Sequence, residues 1–206
     1  MEKVAHRFGI LRRALMLAGV MLCTLVAGAQ DEVVYYNLWL GDTQVTSENC
    51  SDIFGDGTTN YNPKKHRLEL KNNPPISGAH TFGEDNEKTA VIYYDGDSTL
   101  TITGIYCQTS ATAQYGLMVC GDLKIAQEFT FLGTEFGVYA QKVEIENPRK
   151  VSITGGIEGL YCTSLSISDR HYIPKETTYN APHFYDADGS FTKQVEFYIG
   201  VSYNIW

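Results

Sequence analysis

Gly137-Val138-Tyr139-Ala140-Gln141-Lys142-Val143-Glu144-Ile145 is followed, twenty-two residues on, by Gly159-Leu160-Tyr161-Cys162-Thr163-Ser164-Leu165-Ser166-Ile167. Both stretches open on glycine and close on an apolar-x-apolar triplet. The same triplet occurs earlier as Leu68-Glu69-Leu70, Leu100-Thr101-Ile102 and Leu123-Lys124-Ile125, with successive spacings of 32, 23, 20 and 22 residues. Alternation over so few residues marks a short strand with one buried face. Further segments recur between the triplets: Ile105-Tyr106-Cys107, Phe129-Thr130-Phe131 and Val151-Ser152-Ile153. Three short strands per repeat, parted by Gly104, Gly121, Gly133, Gly155 and Gly156 at the corners, is the rhythm of a solenoid.

The sequence therefore predicts an all-β chain, a parallel β-helix of about four to five coils with an N-terminal β cap, about one rung every ~4.8 Å. Leu100, Leu123, Val143 and Leu165 should form one inner ladder, and Ile102, Ile125, Ile145 and Ile167 a second. Thr101, Lys124, Glu144 and Ser166 should face outward, with Lys124 and Glu144 as a surface ion pair. Counting three residues back from each inner residue places Cys120, Ala140 and Cys162 in one inner ladder. Cys120 and Cys162 would then lie two coils and ~9–10 Å apart, beyond disulfide reach. An antiparallel sandwich also uses many short strands, but it does not explain why whole coils recur.

Working outward, residues 1–29 read as a signal peptide. Lys3, Arg7, Arg12 and Arg13 precede the apolar run Ala14–Val26, and Ala27-Gly28-Ala29 is a cleavage site. Leu22 before Cys23 argues against a lipoprotein box. Removal of 29 residues leaves 206 − 29 = 177, with net charge (16 − 4) − (24 − 1) = −11. An acidic surface of that size disfavours nucleic acid and anionic lipid. No later stretch approaches the ~20 apolar residues of a membrane span. The expected location is secreted, periplasmic or cell-surface. Residues 30–66 read as the cap, 67–170 as the coils, and 171–206 as a C-terminal segment. Tyr203-Asn204-Ile205-Trp206 echoes Tyr36-Asn37-Leu38-Trp39, as the start of a truncated second module would.

Tyr36-Asn37-Leu38-Trp39, Val45-Thr46-Ser47-Glu48-Asn49, Gly55-Asp56-Gly57-Thr58, Tyr61 and Leu68-Glu69-Leu70 resemble the opening of secreted bacterial proteins described as carbohydrate-binding-domain-containing. The resemblance implies a right-handed parallel β-helix on or outside the cell, with polysaccharide as a ligand class. It implies no catalytic set.

The residues themselves offer little catalysis. His66, His80, His171 and His183 form no HExxH motif, and neither GxSxG nor CxxC occurs. A polysaccharide lyase would need clustered carboxylates for Ca²⁺ and a basic residue; Lys124 and Glu144 on neighbouring coils offer one carboxylate and read better as an ion pair, which leaves a degenerate lyase as the third and least favoured reading. Asp186 and Asp188, in Asp186-Ala187-Asp188-Gly189-Ser190, begin an oxygen-rich loop that could hold Ca²⁺, although Asp-Gly pairs are mostly plain turns. For a glycan, Tyr139 and Tyr161 should project outward one coil apart, alongside Val119, and Tyr93, Tyr94 and Tyr106 are further aromatic candidates. Trp39 reads better as an anchor for the cap. The expectation is an exported, non-catalytic module that binds polysaccharide or another glycan. The alternative is a structural or adhesin-like module with a protein ligand.

Overall fold

Leu100, Leu123, Val143 and Leu165 lie one above the next in register, as do Ile102, Ile125, Ile145 and Ile167. These two ladders define a β-solenoid. The computed structural model describes residues 32–146, 150–168, 171–172 and 177–199, and among them there is no helix. Residues 1–29, expected to be a signal peptide, and the echo at 203–206 lie outside the described residues.

The cap consists of β1 (Tyr35–Leu40), β2 (Thr43–Thr46) and β3 (Thr59–Asn62). Strand β4 (Arg67–Leu70) pairs antiparallel with β3 and begins the stack. Next come β5 (His80–Phe82), β6 (Lys88–Tyr94), β7 (Leu100–Cys107), β8 (Tyr115–Val119), β9 (Asp122–Gly133), β10 (Phe136–Glu146), β11 (Lys150–Gly155) and β12 (Glu158–Ile167). The last elements are β13 (His171–Tyr172), β14 (Thr178–Asn180), β15 (His183–Tyr185) and β16 (Gln194–Ile199).

Long strands turn corners, so the coil has three parallel faces. Strands β6 and β8 and the first parts of β10 and β12 make the first face. The second holds β4, the first parts of β7 and β9, and the last parts of β10 and β12. The third holds the last parts of β7 and β9, then β11. This amounts to about three turns, fewer than the four to five expected. The 32-residue spacing caused the excess. Leu68 pairs with Ile102 rather than Leu100, and the intervening chain makes an excursion in which β5 folds back antiparallel on β6.

Inside, the rungs are apolar: Leu123, Val143, Ile125, Ile145, Phe131 and Ile153 are all buried. Each such side chain contributes ~1.5–3 kcal/mol relative to exposure. Outside, Lys124 contacts Glu144 at 3.1 Å, as expected, and Glu146 at 2.9 Å. Exposed pairs of this kind are worth at most ~1 kcal/mol.

Two registers differ from the expectation. On the third face Tyr106, not Ile105, stacks on Phe129, and Ile105 is left exposed. Gly104 and its partner Gln127 both have positive φ, at 104° and 95°, and this kink at the corner reverses the alternation. The chain from Val119 to Leu123 is one residue longer than its counterpart from Ala140 to Val143, because Tyr139 pairs with Met118 while Lys142 pairs with Asp122. The inner ladder is therefore Tyr94, Val119, Ala140 and Cys162. Cys120 is displaced to the outer side, where its thiol reaches the Tyr93 hydroxyl at 3.7 Å. The thiols of Cys50, Cys107, Cys120 and Cys162 are all unbridged.

The corner glycines serve close approach more than positive φ. A methyl on Gly133 or Gly155 would strike the carbonyl of Phe136 or Glu158 across the turn.

Both ends of the stack carry covers. At the start, β1 pairs antiparallel with β6, and Asn73 bonds the backbone of Ile105 and Cys107. Beyond β2, the Asn49 side chain accepts from the Thr46 N–H at 2.7 Å and donates to the Gln44 carbonyl at 2.9 Å. At the far end β16 pairs antiparallel with β11. The Pro182 carbonyl takes the Cys162 N–H, and the Thr192 carbonyl takes that of Gly159. Leu165 and Ile167, on the last rung of the second face, are only half-buried.

Candidate functional site

Parallel register carries Tyr93, Met118, Tyr139 and Tyr161 up the outside of the first face as one ladder. Tyr139 and Tyr161 thus lie where the sequence placed them, half-buried and one coil apart. Tyr93 belongs to the same ladder but is covered by neighbouring rings. Val119 does not: the extra corner residue turns it inward and presents Met118 instead. Tyr94 is also a correction. It is 2 % exposed and points into the core, where its hydroxyl and that of Tyr61 each lie 3.3 Å from His66 Nδ1. Burial raises the pKa of both phenols. Tyr106 is likewise a core residue.

The ladder is the middle of a longer aromatic surface. At the cap end Trp39, paired with Tyr93 across β1 and β6, stacks on His80 with centroids 4.2 Å apart, and Phe82 stacks on Tyr93 at 4.6 Å. Trp39 does anchor the cap, and it does so on this face. Phe82 leads to Tyr115, Tyr115 to Phe136 at 5.3 Å, and Phe136 to Tyr139 at 5.9 Å. At the far end Tyr161 meets the His183 ring edge-on at 5.3 Å, and His183 stacks on Phe191 at 4.6 Å. Ring contact is unbroken from the cap to the C-terminal hairpin, in which β14 pairs antiparallel with β15.

Tyr115, Phe136 and Glu158 form a second ladder, each followed by a glycine. The Gly116, Gly137 and Gly159 positions come close to the strand behind, so no side chain fits there. This aromatic-Gly repeat was the signal that could have revealed the wider face. His80, Phe82, His183 and Phe191 come from segments outside the repeat, and periodicity cannot find them.

The rings of Tyr139 and Tyr161 lie 4.3 Å apart and 3° from parallel. Their facing surfaces are spent on each other, so they offer ring edges and hydroxyls outward rather than a flat platform. Burial, with the neighbouring Tyr161 hydroxyl, raises the Tyr139 pKa. Polar ladders flank the rings. On one side the Gln114 amide bonds Thr89 and Glu135. On the other Gln141 bonds the Cys120 carbonyl, and Thr163 bonds the Gln141 carbonyl. Carbon-rich edges between rows of amides and hydroxyls can meet a ligand that alternates C–H and O–H groups.

No protein family matches the chain, and neither a curated protein nor a solved structure is significantly similar to it.

The loop carrying Asp186 and Asp188 is a turn in which each carboxylate is engaged locally. Asp186 accepts from the Thr192 hydroxyl at 2.8 Å, and Asp188 from the Ser190 amide and hydroxyl, which lowers its pKa. Among the described residues no three His, Cys, Asp or Glu side chains converge as a metal site.

The four thiols should differ sharply in reactivity. Burial pushes the Cys162 pKa up to about 11, whereas Cys107 is exposed. A thiol reagent in mildly alkaline buffer should modify Cys107 in the folded protein, and Cys162 only after denaturation. Peptide mapping of the labelled sites reads the order directly.

Proposed function

We propose that the chain is an exported, non-catalytic solenoid module whose aromatic first face binds an extended, neutral glycan. The observation that carries this reading is the unbroken run of rings, half-buried except at the covered Tyr93 and Tyr115, outside a solenoid whose inner ladders already supply its core. Rings on an outer face with polar rows beside them provide what a sugar chain needs, C–H contact and hydroxyl partners. The acidic charge balance favours neutral over anionic polymers. Export rests on residues 1–29.

Affinity electrophoresis of the full chain in gels containing neutral or uronic-acid polysaccharides tests the reading. Retardation is expected with a neutral polymer. Tyr139→Ala should weaken it at least about tenfold, equivalent to ~1.4 kcal/mol. Unretarded migration in every gel defeats the proposal. The mutual stacking of Tyr139 and Tyr161 favours a second reading, in which the rings stiffen a surface module whose ligand is a protein.

A further inference from the structure

We propose that His183, held by the buried carboxylate of Glu158, is a hydrogen-bonding subsite at the C-terminal end of the aromatic face, accepting a ligand hydroxyl at Nε2. The inference rests on the glycan reading above and deepens it by naming the polar contact.

Glu158 is 1 % exposed and fully engaged. One oxygen accepts from the Phe184 N–H at 3.2 Å, and the other lies 3.0 Å from His183 Nδ1. Burial raises the Glu158 pKa, and its bonds to His183 and the Phe184 N–H oppose that rise. As a carboxylate Glu158 only accepts, so Nδ1 carries the proton, and in the uncharged form of the ring Nε2 keeps a lone pair. Among the described residues nothing bonds Nε2. The ring is also fixed laterally: stacked on Phe191, edge-on to Tyr161 at 5.3 Å and to Tyr185 at 6.1 Å. The side chain nevertheless remains 27 % exposed. Phe191, 40 % exposed, offers an apolar surface beside it.

A purely mechanical tie for the hairpin would not need this pair. Glu158 occupies the rung above Tyr115 and Phe136, where a third aromatic ring would continue the stack. Replacing a buried carboxylate and its polar partner by apolar packing is commonly neutral or stabilising. The hairpin has other fastenings besides, in the Tyr179 hydroxyl on the Cys162 carbonyl and the Pro182 carbonyl on the Cys162 N–H. What the pair adds is an imidazole of fixed tautomer and direction, as a buried carboxylate provides wherever a histidine must present one nitrogen. His183 is the contact and Glu158 the positioning residue.

The test compares the full-length wild type with His183→Asn, Glu158→Gln and Tyr139→Ala, by calorimetric titration with the neutral polysaccharide that retards the protein. Asparagine places an N–H where Nδ1 stood and removes Nε2, so His183→Asn should melt close to wild type. It should nonetheless lose affinity about tenfold or more. Long-range ¹H–¹⁵N spectra in mildly alkaline buffer should show the His183 proton on Nδ1 in the wild type and a mixed tautomer in Glu158→Gln. Unchanged affinity in His183→Asn, alongside weakened binding in Tyr139→Ala, overturns the subsite and leaves the glycan reading standing. A proton found on Nε2 overturns it too. Should no polymer bind the wild type, both fall together.

Discussion

Gly133→Ala is expected to prevent folding or to destabilise the protein by more than about 3 kcal/mol. The corner between β9 and β10 brings the Gly133 Cα against its own returning chain. An added methyl would overlap the Phe136 carbonyl and approach the Gln114 carbonyl to 2.6 Å. Both obstacles are backbone, so relief requires moving rungs that are themselves in ladder register with Gly155 above. Gly189→Ala is the matched control. Its surroundings are open, and only its φ of +84° opposes a side chain, a cost of about 1–2 kcal/mol. Circular dichroism and urea melts of the pair separate crowding from backbone strain. Equal losses would mean that the corner relaxes easily.

The second large effect is positional. Ile125→Ala should cost about 3–5 kcal/mol and Ile167→Ala only about 1–2, although the chemistry removed is the same. Ile125 has Ile102 on one side and Ile145 on the other, and is wholly buried. The cavity it leaves is walled by rungs that cannot collapse without breaking their own pairing. Ile167 has Ile145 on one side, and its other side is half-open, so its site relaxes. Urea midpoints at constant m-value measure both losses. A flat profile along this ladder would argue that the rungs share their load rather than stacking pairwise.

The second face was legible in the chain because its triplets repeat with the strict alternation of a half-buried strand. Leu123, Val143, Leu165 and their isoleucine partners fell into register, and the Lys124–Glu144 contact followed from it. Corners were not legible to the same degree. The one-residue excess between Val119 and Leu123 makes no difference to either flanking strand, yet it moved Cys120 out of the core and exchanged Val119 for Met118 outside. It can be seen in hindsight as seven residues from Gly116 to Leu123 against six from Gly137 to Val143. The Gly104 kink likewise inverted Ile105 and Tyr106 within a run that looks regular. Tyr139 and Tyr161 could be foreseen because they sit inside a repeat. Trp39, His80, His183 and Phe191 could not, since the cap, the excursion before β6 and the terminal hairpin reach the face by tertiary packing alone.

The carboxamide of Asn49, lying along the free margin of β2, gives the molecule a direction. A peptide group's donor and acceptor are mimicked by one side chain, so an incoming strand finds those positions filled at that terminus. Accretion of like molecules into a fibre by head-to-head pairing is thereby discouraged at the cap. At the opposite pole β16 covers the third face, while the rung of Leu165 and Ile167 on the second face is left half-buried.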